Sequence, residues 1–120
     1  LHAVSEGSPL TIFGDGEQRR DFTYVSDAVL ANLLAAGAPP DLAGRAFNVA
    51  AGGEISVNDL AARLCDLSGV RPEIVHLAPR EGDVRESRAD LANVKRELGF
   101  EPAVTIEEGL RRTVEAWGER

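Results

Sequence analysis

The alternation of apolar and polar positions divides the chain into short strands and amphipathic helices. Leu10 to Phe13 is a run of apolar, β-branched and aromatic residues, and it predicts a strand. Gly14-Asp15-Gly16 breaks that run, as glycines do where the backbone needs positive φ. Arg19 and Arg20 follow, then the alternating piece Phe22-Thr23-Tyr24-Val25. Ser26 reads as an N-cap with Asp27 in the first turn. The helix it opens is predicted to reach Ala36, with Val29, Leu30, Leu33 and Leu34 on its apolar side and Gly37 as its stop. A strand, a glycine loop, guanidinium groups and a helix start thus fall within residues 9–27. Such a set suits the holding of an anion.

The remaining pattern is equally punctuated. Pro39-Pro40 marks a loop, and Ala46-Phe47-Asn48-Val49 predicts a short buried strand closed by Gly52-Gly53. Ser56, with Asp59 three residues on, forms a variant capping box for a helix over 56–68. Its stripe is Val57, Leu60, Ala61, Leu64 and Leu67, and Gly69 ends it. Residues 73–77 predict an alternating strand, and 79–90 a polar loop with three arginines. Asp90 is placed to cap a helix over 90–98 with Leu91, Val94 and Leu98 inward, ended by Gly99-Phe100 in Schellman fashion. Thr105 and Glu108 make a full capping box for a last helix over 105–117, with Ile106, Leu110, Val114 and Trp117 inward. Residues 1–7 read as the last turn of a helix stopped by Gly7, so the chain is expected to be a fragment of a longer one. The sum is a small mixed α/β unit whose first and last long helices are expected to pack on its sheet.

Composition narrows the function classes. At 120 residues the chain has the size of one domain, and 43% hydrophobic with 28% charged residues is ordinary for a globular protein. No apolar run approaches the ~20 residues of a membrane span. A net charge of −7 argues against nucleic acid or an anionic membrane as partner. A small anion would need a local arginine cluster. The one cysteine, Cys65, lies in a helical apolar pattern and reads as a core residue. It allows no intramolecular disulfide and fits a reducing cytoplasm. His2 and His76 have no partner at metal-ligand spacing, so no metal site is expected, and His76 reads as a half-exposed strand residue. By residue types alone, Gly-Asp-Gly could equally be a hairpin turn and Arg19-Arg20 a solvated pair.

The order of residues carries more. Pro-Leu-Thr-Ile-Phe-Gly-Asp-Gly-x-Gln-x-Arg-Asp-Phe-Thr-Tyr-Val, residues 9–25, resembles a signature of the nucleotide-sugar epimerases and dehydratases, the extended short-chain dehydrogenase family. Phe47, Asn48 and Gly52 fit that family's Phe-Asn-x-Gly-x-Gly, with Ala50 at the first glycine. Residues 80–90 fill its second loop, Arg-x-Gly-Asp-x-Arg-x-Ser-x-Ala-Asp, with Glu81 where proline is usual. The resemblance spans essentially the whole chain but only the C-terminal part of such an enzyme. The family's dinucleotide fingerprint, Gly-x-x-Gly-x-x-Gly, is missing from these residues, and so is its catalytic Tyr-x-x-x-Lys: Tyr24 is the one tyrosine, and Ala28 stands four residues on.

The resemblance implies a small C-terminal substrate-binding domain without the Rossmann half, expected to be inactive alone. NAD would be bound by the missing N-terminal domain, and the parent enzyme would be a homodimer acting on a UDP-sugar. In that enzyme a hexose carbon gives a hydride to NAD and a transient keto sugar forms. By resemblance Arg20 is a diphosphate ligand, Arg80 a second phosphate contact and Asp83 a partner for ribose hydroxyls. The backbone at Thr11 and Phe13 would meet the uracil edge. Arg85 is a further candidate that could equally pair with Glu81 or Asp83. A non-catalytic module of the same fold, or part of a related NAD(P)-dependent reductase with a non-nucleotide substrate, stands as the alternative.

Overall fold

The fold was obtained as a computed structural model, which describes residues 1–118. Five helices and five short strands follow one another: α1 (His2–Glu6), β1 (Leu10–Phe13), β2 (Arg19–Arg20), α2 (Val25–Ala36), β3 (Ile55–Ser56), α3 (Val57–Ser68), β4 (Ile74–Leu77), β5 (Glu86–Ser87), α4 (Ala92–Leu98) and α5 (Ile106–Gly118). The mixed α/β class is as the pattern predicts. The strands form two sheets. In one, β1 and β4 run parallel with Leu10 opposite Ile74 and Phe13 opposite Leu77. In the other, β2 lies between β3 and β5, antiparallel to the first and parallel to the second.

Local signals place the helix ends. Gly7, Gly69 and Gly99 all take left-handed φ as C-caps, the conformation in which glycine carries no Cβ penalty. Ser56 Oγ accepts from Asp59 N–H at 3.0 Å, and Thr105 Oγ1 accepts from Glu108 N–H at 3.3 Å. On α5, Glu108 takes hydrogen bonds from Arg111 and Arg112, which hold its carboxyl at about 2. The core is small. Phe100, Val94 and Ala31 are buried together, with Leu34, Phe47, Leu91 and Leu98 against them. Phe100 directly follows the α4 cap, so the capping turn itself delivers the largest core side chain. Cys65 is buried on α3, as expected of a small hydrophobe, and His76 is exposed on β4.

Four expectations are corrected. Residues 46–49 form no strand: no strand among the described residues pairs with their backbone groups, and Phe47 instead packs on the core cluster while Arg45 stacks over its ring at 5.6 Å. Helix α2 starts at Val25 with Tyr24 as N-cap, one residue before the expected Ser26, which makes no capping bond. Helix α4 starts at Ala92; Asp90 Oδ1 takes the Ala92 N–H at 2.9 Å and so begins the turn from outside the helix. Helices α2 and α5 do not cover the sheet through the named stripes. Helix α2 packs on α4 through Ala31 and Leu34 and leaves Val29 and Leu33 exposed, because it is apolar nearly all round and only one face meets this chain. Helix α5 packs on α3, with Ile106, Leu110, Val114 and Trp117 half-buried.

Two carboxylates do the long-range tying. Asp27, 1% exposed in the first turn of α2, accepts from Ala103 N–H at 3.3 Å and Val104 N–H at 3.1 Å, just ahead of α5. Asp21 accepts from Ala51 N–H at 3.0 Å and Gly52 N–H at 2.9 Å. Bonds to an ionised acceptor are about twice as strong as neutral ones, and an orphaned buried donor is costly. Asp27→Ala strands two N–H groups and should cost about 2–3 kcal/mol. Asp27→Asn, with one acceptor oxygen left, should recover part of that. Denaturant unfolding of both variants checks it; a loss under about 0.5 kcal/mol for Asp27→Ala would show that the carboxylate is not a structural tie.

Candidate functional site

The site is built where β1 ends and the polar 79–90 loop returns. After Phe13 the chain must reverse within a few residues, and Gly14 and Gly16 both take φ +76 to do so. Gly16 has no alternative. A Cβ there would lie 2.0 Å from Asn58 Oδ1, since Asn58 at the start of α3 reaches over the turn. The Asn58 N–H donates to the Gly16 carbonyl at 3.0 Å, and its Nδ2 donates to the Asp15 carbonyl at 3.0 Å and to Glu17 at 2.7 Å. The glycine turn is therefore clamped to a helix start, and β2 emerges from it in a fixed direction.

That direction places the arginines. Arg19 turns to Glu54, at 3.0 Å to its carboxylate and 3.2 Å to its carbonyl, and so braces β2 against the segment before β3. Arg20 turns the other way. Its Nη1 donates to the Arg19 carbonyl at 2.8 Å, and its Nη2 forms an ion pair with Asp83 on the polar loop. Neither side chain of that pair is fully exposed. Arg80, from the same loop, lies over the Phe13 ring with its guanidinium carbon 3.8 Å from the centroid, close stacking for a cation on an aromatic face. Thr11, Phe13, Arg80 and Asp83 line one open cleft of about 450 Å³, together with Gln18, Val57 and the turn at Glu81-Gly82.

Four of the sequence-predicted residues thus share one cleft, and Arg20 is joined to it through Asp83. Arg20 itself faces the adjoining hollow, beside Phe22, Gly53 and Ile55. Arg85 does not pair with Glu81 or Asp83. Both carboxylate oxygens of Asp15 accept from its Nη1 at 2.8 Å, which closes the glycine turn against the polar loop. This bond, with the Glu17 N–H as the next contribution, holds the Asp15 carboxyl below its ordinary range. Sequence reading passed over Gln18 and Asn58. The first was visible as the fixed glutamine of the quoted signature. The second had no signal beyond its place one residue into a capped helix.

What the cleft lacks is equally informative. A dinucleotide seat needs a strand that runs through its glycine turn into a helix N-terminus; here β1 runs through Gly14-Asp15-Gly16 into β2. These residues do not fit NAD. Among the described residues no cluster of histidine, cysteine or acidic side chains is placed to hold a metal ion, and no helix is long and apolar enough to cross a membrane.

The family model for GDP-mannose 4,6 dehydratase matches residues 2–113. The chain belongs to this family. A UDP-glucose 4-epimerase of Mycolicibacterium smegmatis is 38% identical over 113 residues, which cover 94% of the chain and 36% of that protein. The crystal structure of UDP-glucose 4-epimerase with UDP-glucose from Thermotoga maritima superposes with a TM-score of 0.90 at 42% identity, over 98% of the chain and 37% of that structure. A UDP-glucuronic acid 4-epimerase from Bacillus cereus, in complex with UDP-glucuronic acid and NAD, superposes at 0.91 with 28% identity, over the same 98% of the chain and 37% of that structure. The chain therefore spans about a third of the length of its relatives. The resemblance in the sequence, to the epimerase and dehydratase family and to the C-terminal part of its fold, holds.

Within this family's glycine turn the clamp is open to test. Gly16→Ala meets both the Asn58 contact and a left-handed φ, and should destabilise by about 1–3 kcal/mol. Gly53→Ala meets nothing and should stay within about 0.5 kcal/mol of wild type by the same denaturant measurement. The Asp15 carboxyl supplies a second check. Because its folded pKa is lowered, the contribution of the Arg85 contact is present above the ordinary carboxylate range and is lost as pH falls through the lowered value. Arg85→Ala should move the Asp15 titration upward by carbon-detected NMR, and an unmoved titration would deny the contact.

Proposed function

We propose that this chain is the nucleotide-sugar-binding part of an NAD-dependent epimerase or dehydratase and grips the nucleoside diphosphate of a UDP-sugar. One observation carries the reading: two arginines from segments some sixty residues apart meet at one cleft, Arg20 through its ion pair with Asp83 and Arg80 stacked on Phe13, and the wall of that cleft is the strand edge at Thr11 and Phe13. Arginine is the physically apt residue, since its planar fork meets two phosphate oxygens at once. Asp83 accepts hydrogen bonds only, which suits sugar hydroxyls. Arg20 and Arg80 take the diphosphate, Asp83 the ribose, and the Thr11 and Phe13 backbone the base. Arg85 acts through Asp15 on the shape of the loop and not on the ligand.

In this reading NAD and the catalytic groups lie on chain outside these 120 residues. The exposed apolar face of α2, with Val25 and Leu33 each about two-thirds exposed, is the surface that such a dinucleotide-binding half would cover. The resemblance to the family makes the parent enzyme a homodimer, and a single cysteine, which allows no intramolecular disulfide, suits a cytoplasmic setting. Remote binding of this kind positions a reacting sugar that the gripping residues never touch. Expressed alone, the 120 residues should turn over no nucleotide sugar, and measurable epimerase activity in the purified piece would place catalytic groups where this reading has none.

In the complete protein, Arg20→Ala and Arg80→Ala should each weaken UDP binding by about 1.5–3 kcal/mol, the range for hydrogen bonds to charged groups. Uridine, with no phosphate to lose, should bind the variants nearly as it binds wild type. Arg20→Lys should recover only part of the loss, because a point charge does not reproduce the fork. Arg71→Ala is the control: that side chain is exposed and paired with Asp66 at 2.7 Å, away from the cleft. Calorimetric titration with both ligands decides, and equal losses for UDP and uridine would return both arginines to structural roles.

A further inference from the structure

Parallel pairing with β4 fixes the direction of every peptide in β1. Leu10 N–H reaches the Glu73 carbonyl at 2.8 Å and Gly14 N–H reaches the Leu77 carbonyl at 2.9 Å, so residues 10, 12 and 14 direct their backbone groups to β4. Residues 11 and 13 must then direct theirs to the opposite edge, where no strand among the described residues pairs. Along that edge stand Thr11 N–H, Thr11 C=O, Phe13 N–H and Phe13 C=O: donor, acceptor, donor, acceptor. Gln18 removes the last of these. Its Nε2 donates to the Phe13 carbonyl at 2.8 Å, and its own backbone carbonyl is held by Val57 N–H at 3.1 Å. A carbonyl only accepts, so the amide is held with its nitrogen toward Phe13. The readable edge is left as donor, acceptor, donor, on the wall of the cleft that Arg80 and Asp83 also line.

We propose that Gln18 is a positioning residue that sets base specificity: by occupying the Phe13 carbonyl it leaves an edge complementary to a 2,4-dioxopyrimidine and closed to an amino-bearing base. The proposal rests on the cleft being a nucleoside-diphosphate site. A uracil or thymine ring presents an oxygen acceptor, an N–H donor and a second oxygen acceptor, the complement of the capped edge. Cytosine presents acceptor, acceptor and amino donor. Its amino group meets the Phe13 N–H head on, and the one group that would receive it after a small slide, the Phe13 carbonyl, is already filled. Guanine brings an amino donor against Thr11 N–H. A site whose polar groups are left unpaired by the wrong ligand discriminates more strongly than one that merely offers less room.

The test is calorimetric titration of the complete protein with uridine and cytidine diphosphates. Wild type should prefer the uridine ligand by about a hundredfold. Gln18→Leu opens the Phe13 carbonyl and should cut the preference about tenfold, chiefly by tightening cytidine diphosphate. Gln18→Lys keeps a donor and should keep the preference. If Gln18→Leu does not fold, Gln18→Glu, of the same size but without the donor, should show the same drop in preference. An unchanged preference, or equal weakening of both ligands, would overturn the role of Gln18 and leave the diphosphate reading standing. Failure of wild type to bind either ligand would overturn both.

Discussion

A carboxylate aimed at two successive backbone N–H groups is the interaction on which this small fold depends. It occurs twice, at either end of the extended segment between β2 and α2. Asp21 holds Ala51 and Gly52, and Asp27 holds Ala103 and Val104. The first brings the loop ahead of β3 to the arginine strand, so that Ile55 can pair with Arg20. The second brings the approach to α5 onto the start of α2. With so few side chains fully buried, apolar packing alone would leave both loops poorly placed. The many surface ion pairs do not substitute for these ties, since exposed pairs are each worth little.

The arginine cluster concentrates positive charge at one place in an acidic protein. Arg19, Arg20 and Arg85 each have a carboxylate partner, and each partner comes from a different segment. Arg19 and Arg85 are engaged in bracing β2 and closing the turn. Arg20 is paired with a residue that lines the cleft, and Arg80 is stacked on the Phe13 ring. The positive charge available to a ligand is therefore local and directed, while the chain as a whole carries −7.

What the sequence made legible was local. Caps at Ser56 and Thr105, stops at Gly69 and Gly99, and the glycine turn after Phe13 are each set by residues within one turn of the feature they make. Strand 46–49 was not legible, since β-branched and aromatic content says that a segment would suit a sheet but not that a partner strand is at hand. The outward face of α2 failed likewise: Val29 and Leu33 lie on an apolar helix whose sides the sequence cannot tell apart. Strands β2, β3 and β5, two residues each, carry no period to detect. The candidates Arg20, Arg80 and Asp83 could be picked out because they sit in recognisable motifs. The Arg85 partner was missed because Asp15 is seventy residues away.

The span of the ties has a consequence for how the molecule comes into being. Asp27 waits for partners 76 and 77 positions later, and β1 for a parallel neighbour more than sixty residues on. Closing such loops costs entropy before any contact rewards it, and folding slows as contacts become less local. On a ribosome the first quarter of this chain emerges with its acceptors already in place and nothing for them to accept. Helix α2 can form early, yet the cleft has no wall until β4 has been synthesised, and the buried carboxylate stays solvated until Val104 is out. Completion of this fold therefore waits on its C-terminal third.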